Sequence, residues 1–455
     1  MKKIFITILI LLTGFNVQAI NEREFIERLK ATHPFFEQQA LSSQIKQVEK
    51  RLTTANEDWV ISINGNYKNE NASDISSSTY NKLNTTSADV SATRKIANSG
   101  SDITFKHVWT DKDKDGVDIA RNRFSLDYTY PLLRNRDGVN DQLDGDVAQI
   151  AIEKNTLERL EQEENFILKK LKRFVDLAYA QEQQLINERR LALAGQELNL
   201  VKQKFAASVV DKVDVLLQED AYQRAQQQLL QAQQDLILLR HEIAITLALN
   251  FDQVVANTDL YKIYSAKEVW LLADTRALKI TALDQKTLKR QLFSFKNESQ
   301  AKLDLNLGLA SEGENSSYSN SLENQSATWN VGLDWSYPLG GVKSSNNVKK
   351  AEIKLARLAQ YKREQLLELN VQATILKEKI KLLMQMLKSN KKQISIAKAR
   401  TVEERGRYAN GSGQASFVIS AQNNEQNAQL GYAQVATNYQ KAVLDFKATI
   451  DQLVR

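Results

Sequence analysis

Cysteine is absent from all 455 residues. That excludes disulfides and thiolate metal sites, and it excludes acylation beside any N-terminal cleavage site. It is compatible with an oxidising periplasm without establishing one. Proline is almost absent too. The three are Pro34, Pro131 and Pro338, so the stretches from 132 to 337 and from 339 to the end contain none. Such stretches permit very long helices. The three histidines, His33, His107 and His241, are scattered, and no metal or nucleophile constellation can be assembled around them. No glycine-rich phosphate loop occurs. With three methionines, two of them at Met384 and Met386, nothing suggests a soft-metal relay. Charge of one sign is lacking as well. The 61 basic and 55 acidic residues include Lys2 and Lys3, and this weak bias does not imply nucleic-acid binding. No cofactor is expected.

Long apolar runs are missing everywhere except at the start. MKKIFITILILLTGFNVQA has the basic head, apolar middle and small-residue site of a signal peptide at 1–19, cleaved after Ala19. Its apolar run of about a dozen residues is short of the roughly 20 that span a membrane. The mature chain is therefore not a helical membrane protein, although a β-barrel would escape such a scan.

What is present is duplicated. SLDYTYPLL at 125–133 returns as GLDWSYPLG at 332–340, an offset of 207. In the second, Trp329, Val331, Leu333, Trp335 and Tyr337 alternate with polar or small residues. In the first, Phe124, Leu126, Tyr128 and Tyr130 do the same. Each has an upstream partner strand. Trp59, Ile61, Ile63 and Tyr67 pair by pattern with Leu303, Leu305, Leu307 and Leu309 at an offset of 242. Period two gives one apolar and one polar face. A soluble sandwich could show that, but bulky aromatics ending in Tyr fit a lipid-facing surface with an interfacial girdle better. The fall in offset from 242 to 207 gives the first hairpin 35 extra residues. These read as an additional hairpin, about 85–110, around Asn98-Ser99-Gly100. Arg94 on its apolar face leaves open whether it joins the membrane sheet or lies outside it.

The rest of each repeat reads as helix. Segments 35–57 and 277–299 lead into the hairpins, about 58–131 and 301–338. Long helices follow at about 147–249 and 344–454, each broken by one tight turn. The repeats span 20–250 and 267–455. Leu366, Leu369, Ala373, Leu376, Ile380, Leu383 and Leu387 form a heptad seam, and Ile167, Leu171, Phe174 and Ala178 begin another. A helix of about 60 residues reaches roughly 90 Å and needs neighbours along its length. Four strands, or six, cannot close a barrel, which takes about eight. Open edges cannot sit in lipid. The barrel must then be shared between subunits.

With these features the chain resembles the TolC-type outer-membrane efflux protein family over essentially its whole mature length. The resemblance rests on THPFFEQQA, the two hairpins, the endings YPLLRN and YPLGG, and the turns KFAASVVDKVDVL and RYANGSG, duplicated in order. It implies a mixed α+β membrane protein: a homotrimer with a twelve-stranded outer-membrane barrel continuous with a periplasmic α-helical barrel. It also implies docking to a periplasmic adaptor and an inner-membrane pump that supplies the energy. The function implied is a passive exit duct for efflux or type I secretion, with no catalysis. The rival is a trimeric coiled-coil surface or adhesive protein anchored by a shared barrel. That rival expects its membrane segment at the C-terminus, whereas these hairpins are internal.

The same resemblance places the periplasmic gate. Asp214 and Tyr408 match the family's latch residues. The basic residue some members use there falls at Gly413, and the acidic ring positions fall at Phe417 and Ser420. The adaptor-docking tip would comprise Val209, Val215, Gly411, Gly413 and Val418. Phe417 is expected either to form a hydrophobic constriction with its symmetry mates or to pack between helices. One motif stands outside this frame. DKDKDG at 111–116 looks like the start of a calcium loop, but Asn122 replaces the bidentate acid, so a solvated connection between strands is the better reading.

Overall fold

The computed structural model describes residues 19–71, 80–251, 254–264 and 272–453. The predicted signal peptide, Ala19 excepted, lies outside them. So do the first residues of the second repeat as bounded above. In chain order the elements are β1 (Ala19–Ile20), α1 (Glu22–Thr32), α2 (Pro34–Leu52), β2 (Val60–Asn71), β3 (Lys82–Ile96), β4 (Ser101–Lys114) and β5 (Val117–Pro131). There follow α3 (Leu143–Ala206), α4 (Lys212–Leu247), β6 (Val255–Ala256), α5 (Arg276–Glu298), β7 (Lys302–Asn315), α6 (Tyr318–Glu323), β8 (Ser326–Ser336), α7 (Val342–Ala409) and α8 (Ala415–Thr449). Among the described residues no helix is long and apolar enough to cross a membrane.

The chain divides into two compact units. One holds residues up to 40, 159–276 and 365–455; the other holds 41–158 and 277–364. The first is helical, and its core is built by the predicted seams. Ile167, Leu171, Phe174 and Ala178 of α3 meet Ala373, Ile380, Leu383 and Leu387 of α7, with Leu236, Ile243 and Leu247 of α4 and Ala436, Tyr439, Val443 and Phe446 of α8. Helix α1, which the sequence reading did not separate, adds Phe25 and Leu29, both fully buried. Its cap is legible in hindsight. Asn21 accepts from the Glu24 amide, ahead of an amphipathic turn.

Arg276 fixes the start of α5 in this unit. Its guanidinium pairs with Glu161 at 3.2 Å, with Glu164, and with Asp451 at 3.1 Å. These three carboxylates lie close enough together to hold a cation. The arginine already occupies that position, so the group is an ion-pair knot.

The second unit contains one antiparallel sheet, in order β2-β3-β4-β5-β7-β8. The extra hairpin is therefore part of the sheet. The chain thus supplies six strands, where the twelve-stranded trimer implied by the resemblance takes four from each copy. The register carries one row, Ile61–Ala92–Phe105–Leu126–Leu309–Trp329, across all six strands. Every member is apolar. The adjacent row on the other face reads Ser62–Ser91–Lys106–Ser125–Ala310–Thr328. Pleating separates the two faces as the period-two pattern required.

Arg94 lies near the end of β3. Its Nε donates to the Glu57 carbonyl at 2.9 Å, and its guanidinium sits 6.0 Å from the Trp59 ring. The DKDKDG stretch is strand followed by a two-residue turn. Asp115 and Gly116 both have positive φ, 47° and 88°. That excludes a calcium loop and fits the Asp-Gly hairpin turn, a signal the sequence offered directly. Pro131 ends β5, and Pro338 follows β8 by two residues, where neither interrupts a ladder.

The β3–β4 turn is locked at its far end. Gly138, at φ +64°, lies so close that an added Cβ would fall 1.6 Å from the Ala97 carbonyl. Gln142 donates to that same oxygen at 3.4 Å, and Lys95 pairs with Asp141 at 3.4 Å. Gly138→Ala must push the turn away as well as strain the backbone. A loss of about 2 kcal/mol is expected, read as a lower denaturation midpoint, with the larger Gly138→Val worse. An unchanged midpoint for both would refute the locking contact.

Candidate functional site

The two helix turns, 207–211 and 410–414, end their helices by the same hydrogen-bond pattern. In the first, Val209 N–H donates to the Lys204 carbonyl at 2.8 Å and Ser208 N–H to Phe205 at 2.9 Å. In the second, Ser412 N–H donates to Arg407 at 3.0 Å and Gly411 N–H to Tyr408 at 3.2 Å. Both are Schellman closures with a left-handed residue in the middle. Gly411 takes that position at φ +81°, and Ser208 takes it at +59° without glycine's freedom. The duplication thus persists at the level of single hydrogen bonds, offset by 203 residues. Gly413 is needed for a different reason: a Cβ there would lie 2.8 Å from the Tyr408 amide nitrogen.

Lys204 joins the two turns. Its ammonium donates to the Tyr408 carbonyl and, at 3.4 Å, to that of Ala409, and it sits 4.2 Å from the Tyr408 ring centroid. A cation is thereby placed on the last carbonyls of α7, where the helix dipole favours it. The Tyr408 ring packs with Leu198, Val201, Ala415 and Val418 in a small separate core, with Val210, Val215 and Tyr222 at its edge. Val418 is fully buried. It supports the tip from inside.

Asp214 and Tyr408 do not form the expected hydrogen bond. The Tyr408 hydroxyl is buried and without a partner among the described residues. Burial, with the Asp214 and Glu197 charges behind it, holds this phenol above its ordinary range. The neighbouring acid that is paired is Glu197: its Oε1 accepts from Arg405 Nε at 2.6 Å, while its Oε2 is buried without a hydrogen-bond partner among the described residues.

Further along the same helices the interior turns polar. Gln426 bridges Asn187 at 2.7 Å and Gln228 at 2.9 Å. Arg190, only 5 % exposed, donates to Asn423 at 3.0 Å, and its Nε and Nη1 find no partner. Burial pulls its guanidinium below the usual value, opposed by Glu197. The amides of Gln218 and Gln422 are buried with both polar atoms unpartnered. Ser420 lines a cavity of about 610 Å³ between α4 and α8, together with Arg190, Asp220, Arg224 and Asn423.

Phe417 is 50 % exposed, so it does not pack into its own chain's core. Val209, in the turn, is exposed. Val213 and Leu216, which the sequence reading missed, are exposed at the start of α4. Their i, i+3 spacing was the available signal. The three histidines are structural: His33 lies 4.7 Å from Phe166, His107 4.2 Å from Phe124 and His241 4.2 Å from Phe251.

Comparison with solved structures identifies the architecture. The chain aligns over 94 % of its length with 95 % of the outer-membrane protein VceC of Vibrio cholerae, at TM-score 0.69 and 12 % identity. The fold is that of the TolC-type outer-membrane efflux proteins. The Campylobacter jejuni outer-membrane channel CmeC has the same TolC-type fold, at TM-score 0.65 over 95 % of this chain and 86 % of that one, with 12 % identity. So does the open-state MtrE channel of Neisseria gonorrhoeae, at 0.66 over 95 % and 89 %, again at 12 % identity. No protein-family model matches the sequence, and no curated protein does. The TolC-type fold is thus carried here by pattern and not by residue identity.

Because the Tyr408 hydroxyl is orphaned, Tyr408→Phe should leave stability within about 1 kcal/mol of the parent. Tyr408→Ala should cost about 3–5 kcal/mol. A phenol with a raised folded value stays neutral at physiological pH, and its stabilisation is lost only as pH climbs past its ordinary unfolded value of about 10. The alkaline loss of stability should therefore be smaller in Tyr408→Phe than in the parent. Thermal unfolding in detergent at pH 7.5 and above pH 10 measures both, and a large penalty for Phe at neutral pH would reinstate the latch.

Proposed function

We propose that this protein is the trimeric outer-membrane exit duct of a tripartite efflux or type I secretion system. It passively conducts cargo handed over by a periplasmic adaptor and an inner-membrane pump. One observation carries the reading. The sheet has one apolar face and two open edges, β2 and β8, so it is incomplete as a single copy. Its strands alternate in direction, which leaves those two edges antiparallel and able to pair between copies. The shared fold with outer-membrane channels supports the same conclusion. The stalk-like adhesin reading is disfavoured because the strands of the sheet are internal, with helices before and after each hairpin.

Within this reading the exposed apolar residues Val209, Val213 and Leu216, with the open surface around Gly411, are where the adaptor docks. Phe417 and its symmetry mates form a hydrophobic constriction that blocks ions by dewetting, without fixed charge. Val215 and Gly413 hold the turns in shape, and Ser420 sits above Phe417 on the same helix.

A deletion strain should become hypersensitive to exported compounds, whereas lost adhesion with unchanged susceptibility would favour the adhesin. Nothing lies within 4 Å of a Cβ at Gly411, so Gly411→Glu should assemble normally yet lose efflux. Normal resistance from that variant would move the docking surface elsewhere. In planar bilayers Phe417→Ala should raise the closed-state current several-fold. Parent-like current would show that Phe417 does not face the conduction path.

A further inference from the structure

The inserted hairpin changes what the barrel can be. Strands β3 and β4 are each paired on both sides over most of their length, β3 from Leu83 to Thr93 and β4 from Asp102 to Lys114. They carry the faces of their neighbours. Val90, Ala92, Ile103 and Phe105 continue the apolar side, while Ser91, Thr93, Thr104 and Lys106 continue the polar one. Two strands is also the insertion that leaves the sheet's logic intact. β2 and β5 remain antiparallel, and Ile61 and Leu126 stay in one row on one face. The turn between β3 and β4 is locked against the chain that follows β5, where Gly100 and Gly138 allow close approach. The two charges among the apolar-face positions of β3 lie at its ends: Lys82 is its first residue, and Arg94 has its guanidinium on a backbone carbonyl and an indole ring. That placement suits the membrane interface.

We propose that β3 and β4 are wall strands, so that three copies close an eighteen-stranded barrel. The inference rests on the trimeric duct proposed above. Barrel diameter grows roughly linearly with strand number, so the exit pore would be about one and a half times as wide as a twelve-stranded one. The added wall brings Thr93, Thr104, Lys106 and Asp89 to the lumen, with the two charges paired at 3.2 Å. The added lining is hydrophilic: Lys95 and Asp102 on the same face also pair, at 3.2 Å, and Lys112 and Lys114 add positive charge near the β4–β5 turn. A wide, hydrophilic exit admits bulky cargo such as peptides or large amphiphiles.

The natural absence of cysteine makes the test direct. Single cysteines at Thr104 and Phe105 are spin-labelled in the full-length, reconstituted complex, and native mass spectrometry counts its copies. Three copies are expected, with the Phe105 label relaxed by oxygen from the lipid and the Thr104 label by a water-soluble nickel chelate. A second variant removes residues 82–114, joining Asn81 to Asp115. Its barrel, imaged end-on in nanodiscs, should shrink in diameter by about a third. If both labels answer only to the nickel chelate, or the deletion leaves the diameter unchanged, the hairpin lies outside the wall. The eighteen-stranded barrel then fails while the trimeric duct stands. A complex of two copies would overturn both, because twelve strands would then close the barrel.

Discussion

A backbone amide or carbonyl in hydrocarbon must be hydrogen-bonded by protein, because no water is there to do it. Everything about the sheet follows from that demand. Each of the four inner strands meets it on both sides, while β2 and β8 meet it on one side only. These outer strands are also among the most exposed and aromatic segments of the chain, with Trp329, Trp335, Ile61 and Ile63 all largely uncovered. In a soluble protein such an edge would be blunted by charge, proline or a covering helix. Here the demand is met only by closure, and closure requires further copies in the proposed assembly.

Pleat parity then decides which additions to the sheet are tolerated. An odd number of inserted strands would reverse β5, so that the chain left the sheet at the end opposite to the one where β2 entered it. A paired insertion avoids this. The duplicated halves can therefore differ by a whole hairpin and still share the apolar row through Leu126 and Leu309, which are partners in the register. The divergence between repeats is of a kind the barrel can absorb.

Strand faces, helix seams and the turns were legible because each is set by local period. Alternation placed Leu305, Leu307 and Leu309 on one side, and heptad spacing buried Ala373, Ile380, Leu383 and Leu387. What was not legible depended on distance in space. Sequence cannot show that Asn122 reaches Ser321 and the Tyr318 carbonyl to hold α6 on the sheet, or that Gly313 makes room for it. Nor could it show that Asp214 and Tyr408, aligned by resemblance, lack a hydrogen bond. Lys204 was invisible for the same reason: its partners are carbonyls in the other repeat, and a lysine in a solvated helix face looks like any other. Position 208 carried no signal either, since serine seldom takes the left-handed conformation it has there.

The helical interior near the turns completes the physical picture. Deep in the bundle, Phe174, Leu177 and Tyr439 pack tightly, and Leu260 and Lys262 carbonyls are satisfied by Gln440. Closer to the turns, Gln218, Gln422, Arg190 and Tyr408 bury polar atoms that find no partner. Each such atom costs about 1–3 kcal/mol relative to a satisfied one. A segment carrying several of them is the part of the bundle with least to lose by moving. A duct sealed at its entrance needs two arrangements of similar energy, drawn from the low-stability end of the structure. In the proposed duct the apolar seams would keep the helices together along their length, and the polar layer would keep the turns from settling too deeply into one state.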